Sequence, residues 1–403
     1  MAKRKHIVFV SEELHPLTAG GLGRFVFNAL EQLNEYFEIT VIIPNITDTQ
    51  LEGLFSKISF SLNIVTDSVE FVFPYWNEKG AYYLDKIVEL HEQKPIDYVE
   101  FYDFGGSALE TLLYRQSTNK LKDIKIFIRH HMTIGEITEV ETPFIPNHFV
   151  FYITQREQEA LHAADGVLAQ SKAYSKKINN DTFISYPPVS KLKSFYNVKE
   201  NIENGSNILY FGKLQQCKNI EVLLDALVFL LQEGKVNFHR CLLVGNIVPY
   251  SFSGYANYHE ELLSRIPVEF QDKFLFLGAW ELEKLPEIAK NVKLAVIPSK
   301  IESFCLSAHE LASFGIPLVL KDIGAYHDFV QEHEHCEFFK ESYIELASKI
   351  ELLWNGEKDL IKMSEKLSSI KYPDFSLTYS EILALPIENH KKYKVWTFQK
   401  NYL

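Results

Sequence analysis

The chain of 403 residues is poor in cysteine: four cysteines without a C-x-x-C pair describe neither a disulfide-stapled scaffold nor a zinc ribbon. It also lacks an excess of basic charge. With 41 Lys and Arg against 53 Asp and Glu, the formal net charge is −12, which argues against a protein that binds nucleic acid. No apolar run approaches the roughly 18 residues of a membrane span, and the one after the basic residues 1–5 is too short for a signal peptide. We therefore expect a protein of the cytoplasm.

The chain has ample apolar sequence. At 46% hydrophobic and 14% aromatic residues it can bury a large core, and its length predicts two sizeable domains at roughly 150 residues per domain. Short apolar runs alternate with segments of helical period, which is the βαβ pattern of parallel sheets covered on both faces. The fold class is therefore α/β.

The pattern predicts five strands in each half of the chain. They are expected at residues 6–10, 39–44, 98–102, 124–129 and 166–170, and then at 207–211, 240–244, 273–277, 294–298 and 317–320. Helices are expected at residues 23–36, 107–115, 220–232, 282–290 and 303–314. Two Rossmann-like, doubly wound domains would then face each other across a cleft at the carboxyl ends of their strands, where ligands bind in such sheets.

A Pro pair, mixed charge and loss of periodicity place the boundary between the domains near residue 190. We expect an N-terminal Rossmann-like domain at 1–188, a linker at 189–206 and a C-terminal Rossmann-like domain at 207–371. The tail at 372–403 would either follow the second domain or cross back to the first as a helix.

A glycine turn joins the first strand to the first helix. Gly20, Gly21 and Gly23 would bring backbone N–H groups and a helix N-terminus toward an anion such as a phosphate. The turn is neither G-x-G-x-x-G nor a Walker A motif, and no acidic residue ends the second strand, so a nicotinamide dehydrogenase is disfavoured.

Two carboxylates eight residues apart mark the most informative segment, residues 298–317. Glu302 follows a predicted strand and Glu310 lies about two helical turns further on, close to the same face. The first-turn N–H groups there, from Phe304, Cys305 and Leu306, could meet an anion. The same spacing occurs at three other glutamate pairs without such a context, so spacing alone carries no weight.

This segment resembles the E-x7-E region of the retaining glycosyltransferases with the GT-B fold, family 4 (glycosyltransferase group 1). Residues 208–219, with the sequence ILYFGKLQQCKN, are similar to the segment that opens the second domain of that family. Further similar segments are the glycine turn and residues 97–101, 129–131, 164–171 and 277–278, so that the likeness runs in order from about residue 5 to 330.

The resemblance implies a donor site for a nucleotide-diphosphate-sugar. Glu302 and Glu310 would bind hydroxyls of the sugar and of the ribose, because one carboxylate can accept two hydroxyl hydrogen bonds. Lys213 and Lys218 would hold the diphosphate leaving group, although the family usually has Arg at the first of these positions. The remaining donor-binding positions carried over are Gly20, Gly21, Gly23, Gly212, Gly278, Ala279, Ser303, Phe304, Cys305 and Leu306.

A histidine at the end of the fourth predicted strand completes the expected catalytic set, which is His131, Glu302 and Lys218. His130 is the alternative to His131, and either could hydrogen-bond a sugar hydroxyl or the departing oxygen. The base is expected near Gly278. No D-x-D motif occurs, and the His and Glu residues of 327–335 lack the spacing of a closed metal site, so we expect neither a metal nor another cofactor.

The resemblance predicts a metal-independent retaining hexosyltransferase. Its donor would be a nucleotide-sugar, with UDP ahead of GDP and ADP. Its acceptor would be a hydroxyl of a glycan, of a lipid-linked or protein-linked molecule, or of a surface polysaccharide precursor. A peripheral membrane contact is left open, for example at residues 191–199. The alternatives are a non-catalytic scaffold subunit, suggested by Lys213 and by His309 in a usually aliphatic position, and a nucleotide-sugar epimerase. We also expect Glu302→Gln or Lys218→Ala to abolish transfer while leaving the melting temperature nearly unchanged.

Overall fold

The computed structural model describes residues 4–18, 20–72, 75–142, 148–178, 181–190, 198–280 and 282–386. These residues divide into two compact units. The first unit comprises the described residues within 1–136, 146–188 and 373–403, and the second those within 137–145 and 189–372. None of the helices in this described part combines the length and the apolar character that crossing a bilayer requires.

The first unit is built on a seven-stranded parallel sheet in the order β3-β2-β1-β4-β5-β6-β7. The central strands are buried along their whole length, as expected for a sheet covered on both faces. The strands are β1 His6–Val10, β2 Glu38–Ile42, β3 Asn63–Val65, β4 Tyr98–Tyr102, β5 Lys125–His130, β6 Gly166–Ala169 and β7 Thr182–Ile184.

Helices connect these strands, as parallel pairing requires. They are α1 Gly21–Leu33, α2 Asp48–Phe55, α3 Tyr75–Gln93, α4 Leu109–Thr118, α5 Ile134–Glu141, α6 His148–Ala163 and α7 Lys172–Ser175. Helix α5 starts in the first unit and ends in the second, because the units divide after Glu136.

The second unit has a six-stranded parallel sheet in the order β10-β9-β8-β11-β12-β13. Its strands are β8 Asn207–Phe211, β9 Arg240–Val244, β10 Phe274–Gly278, β11 Val292–Ile297, β12 Leu318–Lys321 and β13 Cys336–Phe339. Its helices are α8 Val198–Asn204, α9 Ile220–Gln232, α10 Tyr258–Ser264, α11 Leu285–Ile288, α12 Leu306–Ser313, α13 Tyr343–Asn355 and α14 Glu357–Ser368.

The last described helix, α15 (Phe375–Ala384), packs on the first unit. Its Tyr379 hydroxyl donates to the buried Glu100 carboxylate at 2.7 Å, and Glu100 pairs with the equally buried Arg129 guanidinium at 2.7 Å. Lys125 donates to the carbonyl groups of Ile382 and Leu383 at the end of the helix. Residues 387–403 of the predicted tail lie outside the described residues.

The two parallel-sheet α/β units confirm the predicted fold class. All ten predicted strands are present, with ends displaced by at most two residues. The sequence pattern missed three strands of three or four residues, β3, β7 and β13. Within the predicted linker, residues 198–204 form α8, whose Ile202 is fully buried in the core of the second unit, and residues 191–197 lie outside the described residues.

Candidate functional site

The strand order of the second sheet creates a crevice between β8 and β11. The chain continues from β8 to β9 on one side and returns to β11 on the other, so the loops that follow β8 and β11 meet at a topological switch point. The backbone N–H of Lys300 donates to the carbonyl of Cys217 at 2.9 Å, and the Asn219 side chain donates to the carbonyl of Pro298 at 3.1 Å. The two loops therefore form one connected surface at the carboxyl edge of the sheet.

An ion pair lies at this switch point. Nζ of Lys218 is 2.8 Å from Oε1 of Glu302, and the side chains are only 18% and 9% exposed. Burial disfavours the charge of Lys218, but the Glu302 carboxylate outweighs burial and raises the pKa of the ammonium group. Two residues expected to bind different parts of one donor, the diphosphate and the sugar, are thus in direct contact.

This ion pair changes the expectation for single variants. Removing either partner leaves the other charge partly buried without its counterion, which costs stability. We therefore expect Glu302→Gln and Lys218→Ala to lower the melting temperature of the unliganded protein, contrary to the sequence-based expectation.

The loop after β8 is held by backbone and side-chain bonds that fix Lys218. Residues Gln216–Lys218 form a 3₁₀ turn, and Asn219 caps α9 in a left-handed conformation with φ 59°. The Glu141 carboxylate, at the end of α5, accepts a hydrogen bond from the backbone N–H of Cys217 at 3.1 Å. Glu141 was missed in the sequence because nothing local connects it to residue 217.

Two glycines let the loops after β8 and β9 approach each other closely. A Cβ atom at Gly245 would lie 1.8 Å from the carbonyl oxygen of Gly212, so no larger residue fits without moving that loop. Gly245 in turn donates its N–H to the carbonyl of Gly278 at 2.8 Å. The sequence signal for this close approach is a glycine directly after an apolar strand.

The predicted start of the E-x7-E helix is wrong. Cys305 has φ 68° and ψ 74°, a left-handed conformation that cannot continue a helix, so α12 begins at Leu306 instead of Ser303. The first-turn N–H groups are therefore those of Leu306 and Ser307, whereas Ser303, Phe304 and Cys305 precede the helix. Glu302 lies in this irregular segment, four residues before α12, so helical spacing does not place it close to the same face as Glu310.

Beyond Glu302, the side chains of Phe304 and His309 are buried and pack on each other. Phe304 is 1% exposed and stacks on His309 with ring centroids 4.0 Å apart. Glu310 is 5% exposed on α12. His309 donates to or accepts from the Tyr372 hydroxyl at 2.9 Å, and burial lowers its pKa to about 3. The unusual histidine is therefore a neutral core residue.

The remaining predicted donor residues of this unit lie along the same sheet edge. Lys213 is exposed, and its backbone carbonyl accepts a hydrogen bond from the Tyr210 hydroxyl at 2.8 Å. Gly278 ends β10 with φ 69°, and Ala279 after it is exposed. The Lys213 side chain is therefore solvated, unlike that of Lys218.

In the first unit, the glycine turn already holds an anionic group from the chain itself. Oε2 of Glu13 accepts a hydrogen bond from the N–H of Gly23 at 3.0 Å, at the N-terminus of α1. A Cβ atom at Gly20 would lie 1.9 Å from that carboxylate oxygen, so the turn closes around Glu13. Gly21 is exposed. A phosphate at this helix end would compete with Glu13, a partner that the sequence pattern did not indicate.

The two adjacent histidines at the end of β5 have different surroundings. His130 is buried, and its Nε2 lies 2.9 Å from a Glu136 carboxylate oxygen; burial opposes its charge, but this contact raises its pKa. His131 packs its ring edge-on against Phe25, and its Nδ1 lies 3.3 Å from the carbonyl of Arg129. Burial, with the Arg129 guanidinium, lowers the pKa of His131 to about 3. Among the residues that the structure describes, the buried Nε2 of this neutral ring has no hydrogen-bond partner, and it can accept a hydrogen bond from a hydroxyl.

One group of side chains near the edge strand β13 has ligand atoms close enough for a cation: Glu332, His333 and Glu337 lie within 4.8 Å of one another. Lys349 already supplies a positive charge there, with Nζ 3.1 Å from Glu332 and 2.6 Å from Glu337. The geometry thus supports an internal ion-pair network rather than a metal site.

Comparison with known proteins finds a similarity in the second unit. Residues 193–370 match the family described as Glycosyl transferases group 1. A stretch of 127 residues is 28% identical to an uncharacterized glycosyltransferase of Methanocaldococcus jannaschii. That match covers 32% of this chain and 30% of the relative, so it spans less than a third of either protein.

Solved structures extend the likeness to both units. Sucrose-phosphate synthase from Thermosynechococcus elongatus has a TM-score of 0.73 at 17% identity, over 94% of this chain and 98% of that one. Anabaena HepE in complex with UDP-glucose has a TM-score of 0.67 at 15% identity, over 94% and 99%. At such low identity these similarities establish the fold, which is that of the GT-B glycosyltransferases, as predicted.

Proposed function

We propose that this protein is a retaining glycosyltransferase that moves a hexose-type sugar from a nucleotide-diphosphate-sugar to a hydroxyl acceptor. The observation that carries the proposal is the Lys218–Glu302 ion pair at the switch point of the unit that matches the glycosyl transferases group 1 family. A cation for the diphosphate and a carboxylate for the sugar hydroxyls lie there within one hydrogen-bond distance of each other.

The proposed chemistry needs positive charge where the leaving group becomes more negative. Lys218, Lys213 and the N-terminal N–H groups of α12 would receive the diphosphate as the bond to the anomeric carbon breaks. Glu302 would hold the sugar hydroxyls and Glu310 those of the ribose. The acceptor oxygen then attacks the anomeric carbon on the face from which the diphosphate leaves, and its proton passes to a diphosphate oxygen. This arrangement requires no resident metal ion.

In the first unit, His131 would accept a hydrogen bond from a hydroxyl of the transferred sugar or of the acceptor. Its buried, unprotonated Nε2 supports this role, and it supports His131 over His130, whose Nε2 already contacts Glu136. The preferred donor is a UDP-sugar. The similarity to HepE, which was solved with UDP-glucose, supports this choice.

Ligand-induced thermal stabilisation tests the proposal, because a ligand that binds the native state raises its melting temperature. The panel contains UDP, GDP, ADP and their glucose conjugates, with Lys218→Ala as the site variant and the exposed Lys290→Ala of the same unit as the control. We expect UDP-glucose to stabilise the wild type and Lys290→Ala but not Lys218→Ala.

The proposal fails if no nucleotide or nucleotide-sugar stabilises the protein, or if Lys218→Ala responds like the wild type. If a nucleotide-sugar does bind, anomeric NMR of the products distinguishes a transferase from an epimerase and from a scaffold subunit. A retained α-linkage on an acceptor indicates transfer, a changed free nucleotide-sugar indicates an epimerase, and binding without any product indicates a scaffold subunit.

A further inference from the structure

Three large aromatic side chains stand half-exposed in one short loop of the second unit. Residues 246–257, the β9 loop, follow β9 and carry Tyr250, Phe252 and Tyr255, which are 40%, 47% and 43% exposed. The rings of Tyr250 and Phe252 lie 5.2 Å apart. Clustered aromatic surface left open to water is a feature of binding surfaces.

The loop is held in place by a buried carboxylate. Glu261 of α10 is 4% exposed and accepts hydrogen bonds from the hydroxyls of Ser251 at 2.6 Å and Ser253 at 2.9 Å. Ser251 stands between Tyr250 and Phe252 in the sequence, so the anchor fixes the backbone from which both rings project. The rings are therefore presented by a fixed loop, which reduces the entropy cost of binding.

The same carboxylate connects the aromatic loop to the loop of Lys218. The Gln216 side chain donates to Oε2 of Glu261 at 3.3 Å, the oxygen that also accepts from Ser251. Backbone bonds add to this connection: Leu214 N–H donates to the carbonyl of Asn246 at 2.8 Å, and Val248 N–H donates to the carbonyl of Leu214 at 3.1 Å. The β9 loop thus lies directly beside the loop that carries the proposed diphosphate cation.

The Tyr250 phenol is within electrostatic range of groups beside the Lys218 loop. Burial raises its pKa, and the Glu141 carboxylate and the Cys217 thiol act on it in the same direction. Cys217 immediately precedes Lys218 in the loop that follows β8.

We propose that Tyr250 and Phe252 form a stacking subsite for a saccharide unit of an oligosaccharide acceptor, beside the donor site. The inference rests on the proposed function. One face of a pyranose ring is lined by C–H groups and is apolar, while its rim carries hydroxyls, so it matches a tyrosine ring with a polar edge. An acyl chain would have no use for the phenol hydroxyl.

The test compares oligosaccharide binding of four proteins: the wild type, Tyr250→Ala/Phe252→Ala, Glu302→Gln and Tyr343→Ala. Tyr343 lies on α13 in the same unit and is 40% exposed, as Tyr250 is, so its variant is a matched control. Each protein, saturated with UDP, is applied to an array of oligosaccharides, and the strongest binder is then titrated in solution. UDP affinity is measured separately.

We expect the double variant to bind the selected oligosaccharide about tenfold or more weakly than the wild type, with UDP affinity unchanged and Tyr343→Ala like the wild type. Absence of any oligosaccharide binding by the wild type, or equal binding by the double variant, overturns the proposal. A parallel loss of UDP affinity also overturns it, because the rings would then serve the nucleobase. The UDP affinity of Glu302→Gln tests the donor site, whereas the oligosaccharide affinity of the double variant tests the stacking subsite. A failed donor site and a failed subsite therefore give different results.

Discussion

From the Lys218–Glu302 ion pair we predict that the variant Glu302→Gln binds UDP more tightly than the wild type does. In the unliganded protein, the ammonium group of Lys218 is neutralised by Glu302 at 2.8 Å. A diphosphate must compete with that carboxylate for the cation. Glutamine keeps the shape of the side chain but removes the competing charge, so Lys218 becomes fully available to the diphosphate.

The magnitude follows from the burial of the pair. Exposed ion pairs contribute about 0–1 kcal/mol, and breaking a fully buried one costs about 3–5 kcal/mol. With exposures of 18% and 9%, this pair lies between these limits, at about 2 kcal/mol. Since about 1.4 kcal/mol corresponds to a factor of ten, UDP should bind the variant roughly ten- to thirtyfold more tightly.

Isothermal titration measures the affinity for UDP and the additional affinity that the sugar of UDP-glucose contributes. In the wild type, the sugar should add affinity because Glu302, once released from Lys218, can accept its hydroxyls. In Glu302→Gln this advantage of UDP-glucose over UDP should be lost. Glu269→Gln, which removes an exposed carboxylate from the same unit, serves as the control and should match the wild type.

The reasoning is refuted if Glu302→Gln binds UDP with unchanged or lower affinity. The melting temperature of the unliganded variant provides an independent check. It should fall by a few degrees, because the ammonium group is left partly buried without a counterion, and saturating UDP should restore it.

Two further predictions concern the second unit. Gly245→Ala should weaken UDP binding about tenfold or more, because its Cβ would press on the carbonyl of Gly212 and displace the Lys218 loop. Gly234→Ala is the control: Gly234 also has a positive φ, but there is open space around its Cβ, so UDP binding should stay unchanged in the same titration. Equal effects of the two substitutions would contradict the argument that Gly245 is required for the close approach of the two loops. His309, whose pKa is lowered to about 3, takes up a proton near pH 6.5 in the unfolded chain but not in the folded one, so the free energy of unfolding should fall by about 2 kcal/mol from this residue between pH 6.5 and 5. His309→Leu should make that pH dependence shallower in urea titrations, and an unchanged slope would show that His309 is protonated in the fold.

The segment that contains Glu302 and Glu310 could be predicted from the sequence only in part. The position of the segment, after an apolar strand and before a glycine-terminated helix, was readable because β11, α12 and β12 each have a strong local pattern. The start of the helix was not readable. It depends on the left-handed backbone of Cys305, which no propensity of cysteine indicates.

The edge strand β13 shows a second limit. Its sequence Cys336–Phe339 follows a stretch rich in His and Glu, which resembles a solvated loop. The buried Glu337 is accommodated because Lys349 and His333 contact its carboxylate, at 2.6 Å each. The positive charge of Lys349 comes from helix α13, twelve residues along the chain, so a local pattern cannot predict this ion pair.

By itself, the sequence determined the α/β class, ten strands and the two loops at the switch point, because these features follow from hydrophobic periods and turn residues close together in the chain. Only the tertiary structure decided which charges meet. Lys218 and Glu302 are 84 positions apart, Glu13 occupies the glycine turn, and Glu261 fixes the aromatic β9 loop. Pairing of this kind is set by the packing of strands and loops from distant parts of the chain, and the identity of the residues alone does not contain it.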